Sequence, residues 1–188
     1  MTNPTLATIH ARRSIRAYKP EQISDAQLQA LLDAGEAAPS AVNSQPWHFT
    51  AVQDAALIDR VNEAFRAQIL KTCPPDARDR FADPAYSVFY HAPTVVFFSC
   101  PDLAQKKYAQ TDTGMAIQNM ALAAESMGLG TVILGMPREA FAGDDKAALE
   151  EALQFPEGYE FCLALSVGVP AASKEAHPVL PGRVTVIR

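Results

Sequence analysis

The chain has 188 residues, 48% of them hydrophobic, a length and apolar content that suit one domain spanning 1–188 with a sizeable core. Its formal net charge of −5 excludes a general nucleic-acid surface or an anionic-membrane surface, either of which needs an excess of Lys and Arg. Three widely spaced cysteines (Cys73, Cys100 and Cys162) suit neither a disulfide framework nor a zinc site, and no apolar run approaches the roughly 18 residues of a membrane span. With no basic-then-apolar leader at the start, a soluble cytoplasmic protein is expected.

Residues 5–13 read as a short helix with Leu6 and Ile9 inward, which places Arg12-Arg13-Ser14-Ile15-Arg16 where that helix gives way to extended chain. Three guanidiniums and a hydroxyl within five residues form a donor cluster suited to a phosphate or a delocalised anion. Ser24-Asp25-Ala26-Gln27 is a capping box, followed by Leu28, Leu31, Leu32 and Gly35 at helical spacing until Pro39. In residues 39–49, Pro39, Ser40, Asn43, Ser44 and Pro46 break regular structure and leave backbone and side-chain donors free to meet a ligand. Residues 49–53 read as a strand, and Asp54 opens a helix whose Leu57, Ile58, Val61 and Phe65 form one apolar stripe.

Residues 71–93 are rich in proline and charge and read as a long excursion or lid rather than a packed element, with the aromatics Phe81, Tyr86, Phe89 and Tyr90 left without an assigned role. The continuous apolar run 94–100 has the pattern of a strand buried on both faces, and 131–134 and 161–167 resemble it. Residues 112–127 are apolar nearly all round, which suits a helix in the middle of the fold or in a subunit interface, and Gly128-Leu129-Gly130 reads as its C-cap. Residues 184–187 have the composition of one last strand. These elements interleave without strict strand–helix alternation, so an α+β fold with a mixed, mainly antiparallel sheet flanked by helices is expected.

The Arg12–Arg16 cluster, the Pro39-Ser40-Ala41-Val42-Asn43-Ser44-Gln45-Pro46-Trp47 segment one helix later, Asp112-Thr113-Gly114, Gln118-Asn119-Met120 and Gly168-Val169-Pro170 together resemble the nitroreductase family of flavin enzymes over nearly the whole chain. The resemblance implies a nitroreductase-like fold and an intertwined homodimer whose C-terminal segment reaches the other subunit. It also implies FMN as cofactor, NADH or NADPH as co-substrate, and a small planar electron acceptor. By resemblance, Arg12 and Ser14 face the phosphate or ribityl chain, Arg16 the N1 and C2 edge of the ring, and Arg13 either of these. Pro39, Ser40, Ala41 and Asn43 lie against the flavin held mainly by the partner chain, with Gln45 and Trp47 bracing the loop. Leu134 and Gly135 offer backbone contacts near N5 and O4, and the register at the C-terminus puts His177 at the family's last phosphate ligand, with Lys174 and Arg183 as rivals.

The implied activity is ping-pong reduction of nitroaromatics, quinones or similar acceptors, with the flavin carrying the chemistry and no catalytic side chain required. The same resemblance leaves open a flavin reductase, an NADH oxidase, a dehalogenase-like enzyme, or a flavin-holding module without turnover. Other chemistries find no support. His10, His48, His91 and His177 share no metal-ligand spacing, Gly128-Leu129-Gly130 lacks the third glycine of a dinucleotide fingerprint, and Ser14 and Ser40 lack the context of a serine nucleophile.

Overall fold

The computed structural model describes residues 3–102 and 106–188. Four strands, β1 (His48–Val52), β2 (Thr94–Pro101), β3 (Gly130–Leu134) and β4 (Tyr159–Gly168), form one sheet in the order β1-β2-β4-β3, each neighbour antiparallel. Around it lie α1 (Pro4–Ala11), α2 (Asp25–Glu36), α3 (Ala55–Thr72), α4 (Arg78–Ala82), α5 (Ala109–Ser126) and α6 (Lys146–Ala152). This is the α+β architecture with an antiparallel sheet that the sequence predicts. None of these helices is long and apolar enough to cross a membrane.

The run 94–100 becomes β2, buried along its whole length. Its alternate side chains separate the two halves of the core. Val95 and Phe97 join Phe65, Phe89 and Phe141 on the α3 side, while Val96, Phe98 and Cys100 join Ile117, Met120 and Ala121 of α5 on the other. In β4 the pairing slips between Phe98 and Ser99, so that Phe98 meets Leu163 and Ser99 meets Phe161. The extra residue, Cys162, lets Cys162 and Leu163 face the same side and reverses the alternation beyond it, as a bulge does.

Helix α2 begins with the expected capping box: Ser24 Oγ accepts from Gln27 N at 3.2 Å while Gln27 Oε1 accepts from Ser24 N at 2.9 Å. It crosses α5 at Gly35, where an added Cβ would overlap Met120, and Asn119 Nδ2 donates to Ala34 O at 3.1 Å. On α5 the buried side is Asp112, Thr113, Ala116, Ile117, Met120, Ala121 and Ala124, and Gly114, Met115 and Leu122 remain partly exposed on the other. The helix therefore packs on the sheet and on α2 with one flank free in the single chain. It ends at Gly128, whose φ of 74° suits glycine, with Leu129 N donating back to Ala124 O at 2.9 Å.

Three expectations are corrected. Leu6 and Ile9 do not point inward: α1 packs against α5 but buries none of its residues, and these two side chains stay 52% and 45% exposed. A two-turn helix has too small a contact to cover them. Residues 71–93 are not an unpacked excursion, since α4 forms within them and Phe81, Val88 and Phe89 are core residues. The proline and charge that suggested a lid sit on its solvent side. Finally, residues 184–187 form no strand. Beyond a Tyr18–Pro170 bridge, residues 171–188 have neither helix nor strand, and Val179, Val184 and Ile187 are 92%, 82% and 94% exposed. A β-prone segment needs a sheet edge to pair with, and in the single chain this one reaches neither edge strand, β1 or β3.

Candidate functional site

Strand β3 is an edge of the sheet, and the arginine segment lies along it. Ser14 bridges Thr131 in parallel, with Ile15 N donating to Thr131 O at 2.8 Å. Lys19 N then donates to Val169 O, and Ala171 N to Ala17 O, both at 2.9 Å, which ties the segment to the chain leaving β4. Gly130 lets this happen, because an added Cβ there would lie 2.9 Å from the Ile15 side chain. Past Thr131 the outer edge of β3 has no strand partner among the described residues.

Extended chain alternates its side chains, and the arginines follow that rule. Ser14 and Arg16 line one cleft of ≈ 260 Å³ with Ala172, Ser173 and Lys174. Arg13 lines another, ≈ 270 Å³, with Glu125, Gly128 and Pro170. Arg13 Nη1 also donates to His10 O at 2.6 Å and Arg12 O at 2.8 Å, so it satisfies carbonyls at the end of α1. Arg12 follows α1 directly, its backbone N–H donating to Thr8 O at 3.0 Å.

Arg16 is exposed, with its Nε donating to the Tyr90 hydroxyl at 3.2 Å and its guanidinium carbon 5.6 Å from the centre of the Tyr90 ring. Beside it, Tyr18 donates to Ile15 O at 2.7 Å, and burial pushes its phenol far above the usual tyrosine range despite the nearby Arg16 cation. Tyr18 is thus a permanent donor bracing the segment.

The second loop is built differently. Ser40 Oγ accepts from Gln45 N at 2.9 Å, Asn43 Oδ1 accepts from Gln45 Nε2 at 3.1 Å, and Val42, Asn43 and Gln45 take φ of 50°, 54° and 41°. Three non-glycine residues in the left-handed region within four positions are strained, and Val42 is 98% exposed at the tip. The loop is anchored where Ala41 N donates to Asp112 Oδ2 at 3.1 Å. Trp47 stacks on Phe49, ring centres 6.0 Å apart, and so braces the loop exit.

Asp112 belongs to the first turn of α5, whereas Ile15 packs on Gly130, just past its other end. An 18-residue helix is about 27 Å long, so one chain keeps the arginine segment and the Ser40–Asn43 loop at opposite ends of α5. Leu134 turns its side chain into the core and leaves its backbone at the edge. Gly135 is exposed, and an added Cβ would meet nothing closer than Leu163 at 3.9 Å; no contact among the described residues demands glycine there. His177 sits exposed in the tail, while Lys174, its rival in the sequence, lines both clefts beside the arginines. Among the described residues no cluster of His, Cys, Asp or Glu converges as a metal site.

Sequence reasoning gave no role to Tyr90 or to Asp112 as the loop anchor. Tyr90 lies 74 residues from Arg16, and Asp112 lies 71 residues from Ala41. No spacing signal reports either contact.

Residues 9–169 match the model of the family described as Nitroreductase family. A protein of Archaeoglobus fulgidus, whose name pairs NADH dehydrogenase with NAD(P)H nitroreductase, is 35% identical over 174 residues, covering 90% of this chain and 87% of its own. An NADPH-flavin oxidoreductase of Vibrio harveyi is 30% identical, over 98% of this chain and 73% of its own. The crystal structure of a nitroreductase with bound FMN from Bacteroides fragilis superposes with a TM-score of 0.91 at 32% identity, covering both chains completely.

Proposed function

The chain belongs to the nitroreductase family, and on that premise we propose that it is an FMN-dependent NAD(P)H oxidoreductase whose cofactor sites are each shared between two copies of the chain. The observation that carries the shared site is the separation of the two ligand-type segments by the length of α5. Arg12 to Arg16 and Ser40 to Asn43 cannot enclose one small molecule within a single chain at that distance. A two-fold dimer brings two copies of each segment together and forms two equivalent sites. The partly exposed flank of α5, the bare tip at Val42 and the apolar tail from Val179 to Ile187 supply surface for such a dimer. The tail's strand-like end suits the unpaired edge of β3 in the other copy.

The donors present fit FMN. Ser14, Arg16 and Lys174 line one cleft with a hydroxyl and two cations, as a phosphate and an electron-rich ring edge require. Arg12 adds a third cation at the end of α1, and Ser40 and Asn43 supply polar groups from the partner copy. Leu134 and Gly135, at the end of the edge strand β3, would offer backbone groups to the ring of the cofactor. Pro39 and Ala41 shape the partner's loop, Arg13 contributes charge from the opposite side, and His177 reaches the phosphate only if the tail folds back.

When bound, FMN accepts hydride from NADH or NADPH and passes two electrons to a second molecule in the same place. The chain's part is to hold the cofactor, to place Arg16 where negative charge gathers on reduction, and to leave one face open to planar partners. Nitroaromatics and quinones are the acceptors this arrangement suits, in ping-pong order. The Vibrio harveyi relative favours a second reading, reduction of free flavin. The purified protein should carry a flavin spectrum that bleaches on anaerobic addition of NADH or NADPH and recovers with a nitroaromatic or quinone. Recovery only with free FMN would favour flavin reduction, persistent yellow colour a holder without turnover, and failure to bind FMN would overturn the proposal.

A further inference from the structure

An exposed arginine is a poor fixed charge, because its long side chain samples many rotamers and must be ordered each time it meets an anion. Arg16 has one other described bond, from Nη1 to Ser14 O at 3.3 Å, so its main restraint is Tyr90: the 3.2 Å hydrogen bond from Nε and the ring face 5.6 Å away. With Nε and one Nη1 proton used within the chain, Nη2 and the second Nη1 proton remain available for a ligand.

Tyr90 is itself held with unusual care. Tyr90 and His91 take φ of 57° and 55°, two consecutive non-glycine residues in the left-handed region, a conformation that persists only where surroundings enforce it. The enforcing contacts come from α3 and from β4. Asn62 of α3, itself buried, accepts from Val88 N at 2.9 Å and donates to Tyr86 O at 3.1 Å; Ser166 of β4 donates to Phe89 O at 3.0 Å. Phe89 is wholly buried, and Ser87 Oγ accepts from Phe89 N at 3.2 Å. A strained turn tied by buried polar bonds to two separate elements fixes one outward-facing group, the Tyr90 phenol.

We propose that Tyr90 is the positioning residue for Arg16, pre-ordering its guanidinium at the edge of the cofactor cleft so that it binds the ring edge more tightly as negative charge develops there. This rests on the reading of Arg16 as a flavin ligand given above. Tyr90 acts through Arg16 and adds no chemistry of its own.

The test is a double-mutant cycle on the full-length protein, reading FMN dissociation constant and two-electron midpoint potential rather than turnover. Tyr90→Phe keeps the ring and is expected to weaken FMN binding roughly fivefold, and Tyr90→Leu roughly twentyfold. Loss falling mainly on the reduced form lowers the potential, by about 30 mV for each tenfold difference. In an Arg16→Ala background, both Tyr90 substitutions should have no further effect. Thermal unfolding of each apoprotein identifies any variant that fails to fold, and Tyr90→Phe, the milder change, then decides the outcome. Equal effects of Tyr90→Phe with and without Arg16, or an unchanged potential, would overturn the role of Tyr90. Unchanged binding and potential in Arg16→Ala alone would overturn the flavin reading of Arg16 itself, and with it this inference.

Discussion

Ala41 N donates to Asp112 Oδ2 at 3.1 Å, so a carboxylate only 3% exposed ties the Ser40–Asn43 loop to the first turn of α5. Removing one partner of a buried hydrogen bond leaves the other desolvated. Asp112→Ala is therefore expected to lower stability by about 1–3 kcal/mol, read as a reduced urea midpoint, while Asp112→Asn, which keeps an acceptor, retains most of it.

Arg16→Ala should remove the guanidinium that lines the cleft with Ser14 and Lys174. A hydrogen bond to a charged group contributes about 1.5–3 kcal/mol, so FMN affinity should fall roughly 10- to 150-fold in a fluorescence titration. Arg13→Ala should lose far less affinity, because Arg13 already caps carbonyls at the end of α1.

Much of this arrangement is legible in the sequence, for local reasons. The capping box at Ser24, the doubly buried run of β2 and the glycine that ends α5 are decided by neighbours in the chain, and each forms as read. The sites of error share another cause. Leu6 and Ile9 look inward by spacing, but their burial depends on the area a neighbouring element offers. The lid reading of 71–93 weighed its prolines and charges and missed that Phe81, Val88 and Phe89 reach the core. Val184 to Ile187 has strand composition but pairs with no edge of its own chain. Of the site, the segments are readable as motifs, but the Arg16–Tyr90 and Ala41–Asp112 contacts join residues far apart in sequence, and only the fold reveals them.

On the proposed ping-pong order, initial-rate kinetics should give parallel lines when NADH and a quinone are varied together. Intersecting lines would require a second binding place.

His48 has a buried Nδ1 without a hydrogen-bond partner among the described residues, and burial holds its pKa below the usual 6.5. In the window below 6.5 the unfolded chain then binds more protons than the folded one, so His48 makes stability fall as the pH falls. The His48→Gln variant should show a shallower loss of Tm between neutral and mildly acidic pH than the parent. An equal slope in both would mean the histidine is solvated and titrates normally.

The sharing of each site between two chains is tested most directly by mixing. Arg16→Ala and Asn43→Ala homodimers should each be impaired in FMN-dependent NADH oxidation. A verified heterodimer of the two has one site with Arg16 from one chain and Asn43 from the other both intact, and a second site with both lesions. Its activity should approach half of the parent dimer's. A heterodimer no more active than the average of the two impaired homodimers would contradict the shared site and assign each flavin to a single chain.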